Sequence, residues 1–332
     1  MTQRAWGGEP FELTTAIKRF VLKDYEGLSE SDKELLVSLP SGLPSDTLYI
    51  NVDKEAVRRS GMRIPGDSIP DKMIISLSDR SRISKSFLAM LELIGQTNFS
   101  RPLYMSTTVG HNNYGHLYRH FMQEGIAWRI TPFTFDSNSP LNTVCDTEKM
   151  YDNMMNKYQY GNLKQSGLYI DETTMRMCFT HRRWFANLIT NLLKEGKDDL
   201  ALKALDKCEA EIPSYNVPHD VNSSSLDIAE AYIACGQVEK AVPILEQLEQ
   251  KSKEYAAWYL TLNNVHFANS VRDCNQDVYV LANIQDLFSK LGASNAAKKA
   301  DYAQKAKELE DELQLLYSAF VTKCDNAGIQ LR

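Results

Sequence analysis

No apolar run in the 332 residues approaches the roughly 20 that a membrane-spanning helix requires. The opening stretch, MTQRAWGGEPFELTTAIKRF, lacks the apolar core of a signal peptide. There is no Lys/Arg run and no basic face, which argues against nucleic acid as a partner. The six cysteines, at 145, 178, 208, 235, 274 and 324, form no CxxC pair and none precedes residue 145. Their wide spacing reads as buried thiols, not as a zinc knuckle or a disulfide framework. The stretch RSGMRIPGD has two glycines but no strand-to-helix GxGxxG, so it is no dinucleotide fingerprint. GxSxG and GxxxxGK[ST] do not occur either, which removes the hydrolase nucleophile elbow and the phosphate loop.

What is present is the composition of an ordinary globular protein, 43% hydrophobic and 24% charged. The net charge of −6 is unevenly spread. Residues 1–140 hold 16 basic and 16 acidic side chains, whereas residues 141–332 hold 21 and 27.

Three regions follow from the changing period. Residues 1–45 are an N-terminal helical segment and linker: Phe11, Ile17, Phe20 and Val21 share a helical face, and LPSGLPSD (39–46) breaks it. Residues 46–140 alternate strands (47–52, 72–77, 101–109, 126–133) with helices (53–61, 84–98 capped by Ser84, and 114–125 ending at Gly125). That order predicts a small α/β domain with some parallel strand pairing. Residues 141–332 read as helices throughout, so the fold class is an α/β N-terminal domain followed by an all-α helical-repeat domain. Two hairpins repeat there: Gly196 aligns with Gly236, Ala201 with Ala241 and Leu205 with Leu245. A glycine ends one helix, a polar turn follows and a small alanine lets the next helix pack closely, which is a tetratricopeptide-like pattern with a period of 40.

The stretches LYINVDKEAVRRSGM, DKMIISL, LELIGQTNFSRPLYMSTTVG, QEGIAWRITPF, DTEKMYDNMMNKYQYGN and GLYIDETTMRMCFTHRRWFANL together resemble one family. It is the soluble C-terminal region of a bacterial membrane-protein family of unassigned function, similar to protein O-mannosyltransferases of the GT-C type. The resemblance spans about residues 47–260. It implies a multi-spanning membrane half that bears the transferase chemistry and is not in this sequence, so that Met1 is not the natural start. It also implies a location on the periplasmic side of the bacterial inner membrane.

Four groups of residues invite a chemical reading. In TTVGHNNYGHLYRH, His116 and His120 are four apart and would share a helix face, as zinc ligands do in HExxH. No glutamate follows His116 and Arg119 stands between the pair, so a locally hydrogen-bonded role is preferred and neither metal nor other cofactor is expected. Asp171 and Glu172 are adjacent carboxylates, but neighbours point apart, so capping of the next helix by Asp171 or Thr173 is preferred to glycosidase chemistry. In THRRWF, Arg182 and Arg183 stand beside aromatics. They suit recognition of a carboxylate, phosphate or sugar, or equally pairing with acids of the preceding segment. With Tyr169, Asp171 and Glu172 they form the candidate binding residues.

The function expected is a non-catalytic accessory and protein-interaction region of a membrane glycosyltransferase-like protein. Its partners would be the membrane half and an acceptor protein or peptide on the helical repeats. The alternative is an independent soluble enzyme with a site at the carboxyl ends of the α/β strands, lined by residues 105–115 and 133–139. A spacer holding the repeats away from the bilayer is a third reading.

Overall fold

A computed structural model describes residues 9–38, 42–78, 82–136, 144–294 and 298–330. The chain divides into two units, residues 1–153 and 154–332. An N-terminal α/β unit with two sheets is followed by an all-helical one, as the alternation of periods predicts.

The first sheet has the order β1 (Phe11–Glu12), β2 (Thr47–Asn51), β3 (Lys72–Ser76). β1 runs parallel to β2, with Phe11 opposite Leu48, and β3 is antiparallel to β2, from Thr47 opposite Ser76 to Asn51 opposite Lys72. Leu48 and Ile50 alternate inward with Met73 and Ile75, the period of a half-buried sheet. The helical face expected from Phe11 is thus partly a strand; α1 (Leu13–Ala16) and a π-helical turn (Ile17–Val21) follow it, then α2 (Glu30–Ser38). Helix α3 (Lys54–Arg59) starts at Asp53, whose carboxylate accepts from the Ala56 N–H. Helix α4 (Lys85–Thr97) starts at Ser84, whose hydroxyl accepts from the Phe87 N–H, the expected cap. Phe87, Leu91 and Ile94 join the inward residues of the sheet in one core, each burial contributing about 1.5–3 kcal/mol.

The second sheet has the order β4–β6–β5–β7: β4 (Tyr104–Ser106), β5 (Phe121–Gln123), β6 (Ala127–Ile130) and β7 (Val144–Cys145). β6 is antiparallel to both neighbours, and β7 is parallel to β5. Here the helix expected over 114–125 is not formed. Residues 115–120 make a 3₁₀ helix, and Phe121–Gln123 extend into the sheet. The reason is tertiary. Phe121, Met122 and Gln123 are all buried, so both faces of β5 are covered, and Phe121 stacks on Trp128 at 5.5 Å. Gly125, at φ +125°, turns the β5–β6 hairpin where a helix end was expected. Helix α5 (Thr147–Asp152) closes the unit.

The second unit contains α6 (Glu172–Lys194), α7 (Asp198–Glu211), α8 (Ser225–Ala234), α9 (Val238–Thr261), α10 (Asn264–Ala293) and α11 (Lys299–Asn326). The aligned glycines close two equivalent turns. Gly196 (φ +69°) donates to Leu193 O while the Lys197 N–H reaches Leu192 O at 2.9 Å. Gly236 (φ +72°) donates to Ile233 O while the Gln237 N–H reaches Tyr232 O at 2.8 Å. This is the two-bond left-handed helix terminus that glycine adopts without strain. Ala201 and Ala241 are wholly buried. Helix α9 runs unbroken to Thr261. The break falls at Leu262–Asn263, where the Asn263 side chain accepts from the His266 N–H and starts α10.

All six cysteines are free thiols, five of them buried. Burial pushes Cys274 up to about 12 and raises Cys208 further, so neither is poised as a thiolate.

Candidate functional site

In the first unit, His120 is buried with both ring nitrogens against backbone carbonyls: Nδ1 is 2.8 Å from Phe133 O and Nε2 is 2.9 Å from Ile74 O. A neutral imidazole has one N–H, so it donates to one carbonyl and presents a lone pair to the other. Burial holds its pKa below the ordinary histidine value, partly offset by those two carbonyls. The ring therefore ties β3 to the segment after β6, and neither nitrogen faces an open site. His116 lies on the 3₁₀ helix, edge-on to Tyr118 at 6.5 Å. Among the described residues no group of three or more His, Cys, Asp or Glu is arranged to hold a metal ion.

Glu124 is the first unit's conspicuous buried acid. Its carboxylate accepts from the Tyr104 hydroxyl at 2.6 Å and from Lys149 Nζ at 3.1 Å, and lies 3.4 Å from Arg129 Nη1. Burial and the Glu124 carboxylate push Tyr104 up to about 12. Arg129 Nη2 also donates to Ser60 O at 2.8 Å and Lys149 to Gly61 O at 2.6 Å. Each charge is met by another, which is the pattern of a buried brace, not of a poised acid or base.

In the second unit, the candidate binding residues separate. Asp171 caps α6: its carboxylate accepts from the Thr173 and Thr174 N–H groups at 2.9 and 3.1 Å, and these bonds hold its pKa down. Glu172 pairs with Arg176 one turn on. Tyr169 stands almost wholly in solvent. Arg183 is exposed and donates to the Thr180 hydroxyl at 2.8 Å. Arg182 is completely buried. Its guanidinium donates to the carbonyls of Ile212 (2.9 Å), Val217 (2.7 Å) and Pro218 (3.1 Å), so it pins the loop between α7 and α8.

That loop carries a polar chain: His219 Nδ1 is 2.9 Å from Ser225 Oγ, and its Nε2 is 3.3 Å from Glu209 Oε2. Serine, histidine and glutamate are the residue types of a hydrolytic triad. Ser225, however, has no exposed surface and its hydroxyl shares its contacts with Ser223 at 2.7 Å, so no substrate carbonyl can reach it. The loop is clamped on its outer side by α9, where Gln247 accepts from the His219 N–H at 2.7 Å and Lys251 pairs with Asp220.

Beyond this clamp lies a cavity of about 290 Å³ between α9, α10 and the 220–222 turn. Leu248, Lys251, Ser252, Tyr255 and Tyr259 line it from α9, Asp273, Gln276 and Asp277 from α10, and Asp220 from the turn. Asp277 is 4% exposed, and its Oδ1 has no hydrogen-bond partner among the described residues; the same holds for the fully buried Ser252 Oγ. Burial, with the neighbouring Asp220 and Asp273 carboxylates, raises Asp277 to about 6. The Ser252 hydroxyl offsets part of this without meeting hydrogen-bond geometry. Three carboxylates thus face one ammonium, that of Lys251, which sits 5.7 Å from the Tyr255 ring. Tyr255, which lines the cavity, is half exposed, and the half-exposed Trp258 contacts Tyr259 at 5.0 Å.

Sequence reasoning missed this cavity. A signal existed: Ser252 falls in the core row Leu245, Leu248, Ser252, Ala256, and Asp277 beside Cys274, Val278 and Leu281. Polar residues in an apolar stripe are errors of pattern unless they serve a site.

A family model described as TMEM260-associated domain 2 matches residues 7–149, less than half of the chain and nearly all of the α/β unit. No curated protein and no solved structure matches the chain. The match begins well before the region of resemblance read from residue 47, shares 47–149 with it, and ends before the helical unit that holds the cavity.

Proposed function

We propose that this chain is a non-catalytic accessory region of a membrane glycosyltransferase-like protein, similar to a protein O-mannosyltransferase, with the chemistry in a membrane half outside this sequence. The observation that carries the reading is the match of residues 7–149 to a TMEM260-associated domain. The α/β unit would work beside the membrane half, on the periplasmic face of a bacterial inner membrane. No described helix is long and apolar enough to cross a membrane, which suits that division of labour. The equivalent glycine turns at 196 and 236 support reading α6–α9 as tetratricopeptide-like hairpins. Such hairpins characteristically present a surface to a peptide or protein. The exposed Tyr169 and Arg183 would belong to that surface, whereas Arg182, Asp171 and Glu172 would shape it.

The test starts from the complete reading frame. A multi-spanning segment upstream is expected, and its absence defeats the reading. Sugar transfer from a lipid-linked donor is then assayed for this chain, for the whole protein and for the whole protein lacking 145–332. Only the whole protein should be fully active. Transfer by this chain alone refutes a non-catalytic role, and full activity without 145–332 removes any required role for the hairpins.

A further inference from the structure

The cavity between α9 and α10 is built around groups that lack a partner. Asp277 is buried with one carboxylate oxygen unmet, and Ser252 beside it has an unmet hydroxyl. A buried acceptor without a partner opposes folding, more strongly when it is charged, so its retention calls for a ligand or a proton. The charge around it is one-sided. Asp220, Asp273 and Asp277 line the cavity, against the single ammonium of Lys251, which is already engaged with Asp220. The walls are aromatic: Tyr255 and Tyr259 line the cavity, and Lys251 Nζ lies within 6.0 Å of both the Phe179 and Tyr255 rings. An ammonium is therefore already at home here, over ring faces that attract cations.

We infer that this cavity binds a second alkylammonium group, the head of a lysine side chain on a partner segment, with Asp277 as its anionic seat and Ser252 as a further acceptor. Tyr255 and Tyr259 would flank the methylene stem, and Trp258 would extend the aromatic shelf outside. The volume fits that class. At about 290 Å³ the cavity lies just below the roughly 300–1,000 Å³ typical of drug-sized ligands, so one side chain is accommodated and an oligosaccharide is not. A metal ion is a poorer fit, because no three acids or histidines among the described residues converge closely enough to ligate one. The inference rests on the reading of the helical unit as a binding surface, and it names what that surface holds.

The groups that titrate around the seat are Asp277 and Asp273 from α10, Lys251, Tyr255 and Tyr259 from α9, and Asp220 from the turn. Burial pushes Tyr259 up to about 12, so it stays neutral, and Asp277 is the group that changes charge near pH 6. Ammonium binding should therefore strengthen as pH rises from 5 to 7.5 and should release a proton near pH 6.

The experiment titrates the 332-residue chain with three probes while following the Ser252 and Asp277 amides by NMR. The probes are n-butylammonium, a short unstructured peptide carrying one lysine, and the same peptide with that lysine acetylated. The lysine peptide should shift both amides saturably and at least tenfold more tightly than its acetylated form. Binding of butylammonium as tight as the peptide's would identify a free amine as the ligand and overturn the partner-segment assignment. Asp277→Asn should weaken lysine-peptide binding at least tenfold, while Lys251→Met, which removes the internal competitor, should tighten it. The paired variants separate a site from a structural role, since loss of packing weakens both. Unchanged binding in Asp277→Asn, equal binding of the acetylated peptide, or no saturable shift overturns the inference. Those results leave the accessory reading standing if deletion of 145–332 still impairs the whole protein.

Discussion

Ser252 on α9 and Asp277 on α10 line one wall-to-wall cavity of the helical unit, both buried and each with an oxygen that no hydrogen bond meets among the described residues. Polar atoms in this position oppose folding, and their effect is measurable.

The Asp277 carboxyl keeps its proton to about pH 6 in the folded chain, against 3.8 for an ordinary aspartate. Between those values the native state binds more protons than the unfolded one, so stability falls as pH rises through the window. Above pH 6 the full cost applies, at most ~3 kcal/mol. Asp277→Asn should therefore be more stable than the native chain at pH 7.5, with the gain vanishing below about pH 4. Urea midpoints at pH 7.5, 5 and 4 measure this, and equal midpoints at pH 7.5 would contradict it.

Arg182 and Arg183 are neighbours in sequence and opposites in environment. Arg182→Met removes the donors to the carbonyls of Ile212, Val217 and Pro218 and should cost at least ~3 kcal/mol. Arg183→Ala should stay within ~0.5 kcal/mol, as for other exposed positions. Faster hydrogen exchange at residues 212–220 in Arg182→Met, with α10 and α11 unaffected, would confirm that the loop is what the guanidinium holds.

His120 runs opposite to Asp277 in pH. Its pKa is depressed by burial, so the native state binds fewer protons, and the stability present above about 6.5 is lost as pH falls below it. His120→Gln keeps one donor and does not titrate. The native chain should therefore lose stability relative to this variant between pH 7 and 5.5. A constant difference across that range would show that burial leaves the pKa of the ring unshifted.

Two small residues mark close helix contacts. A methyl group on Gly292 would stand 2.8 Å from the Ala303 backbone of α11. Gly292→Ala should lower the melting temperature, although alanine is favoured over glycine in a helix by about 1 kcal/mol. Ala241 is fully buried in the second hairpin, and Ala241→Leu should cost roughly 1–3 kcal/mol by overpacking. An unchanged midpoint in Ala241→Leu would break the alignment of the two hairpins.

Legibility followed locality. The caps at Ser84 and Asp171 and the turns at Gly196 and Gly236 were readable because each is a side chain or a φ angle acting on its own few residues. The stretch 114–125 was misread because Tyr114, Leu117, Tyr118 and Phe121 have helical spacing, yet Phe121–Gln123 gain more by pairing with Ile130, Arg129 and Trp128. Strand pairing is a contact with a distant partner, and no local period records it.

The sequence by itself determined the two-part character of the protein, α/β then all-helical, because hydrophobic period and turn residues are written along the chain. It also determined the helix ends at Gly196 and Gly236, since that capping is local chemistry. The tertiary structure alone decided what the buried polar residues do. It turned Arg182 into a buried loop anchor, set His120 between two carbonyls and brought Asp220, Ser252 and Asp277 to one cavity. The physical reason is that burial and partnership set the cost of a charge, and both are properties of residues far apart in sequence and close in space.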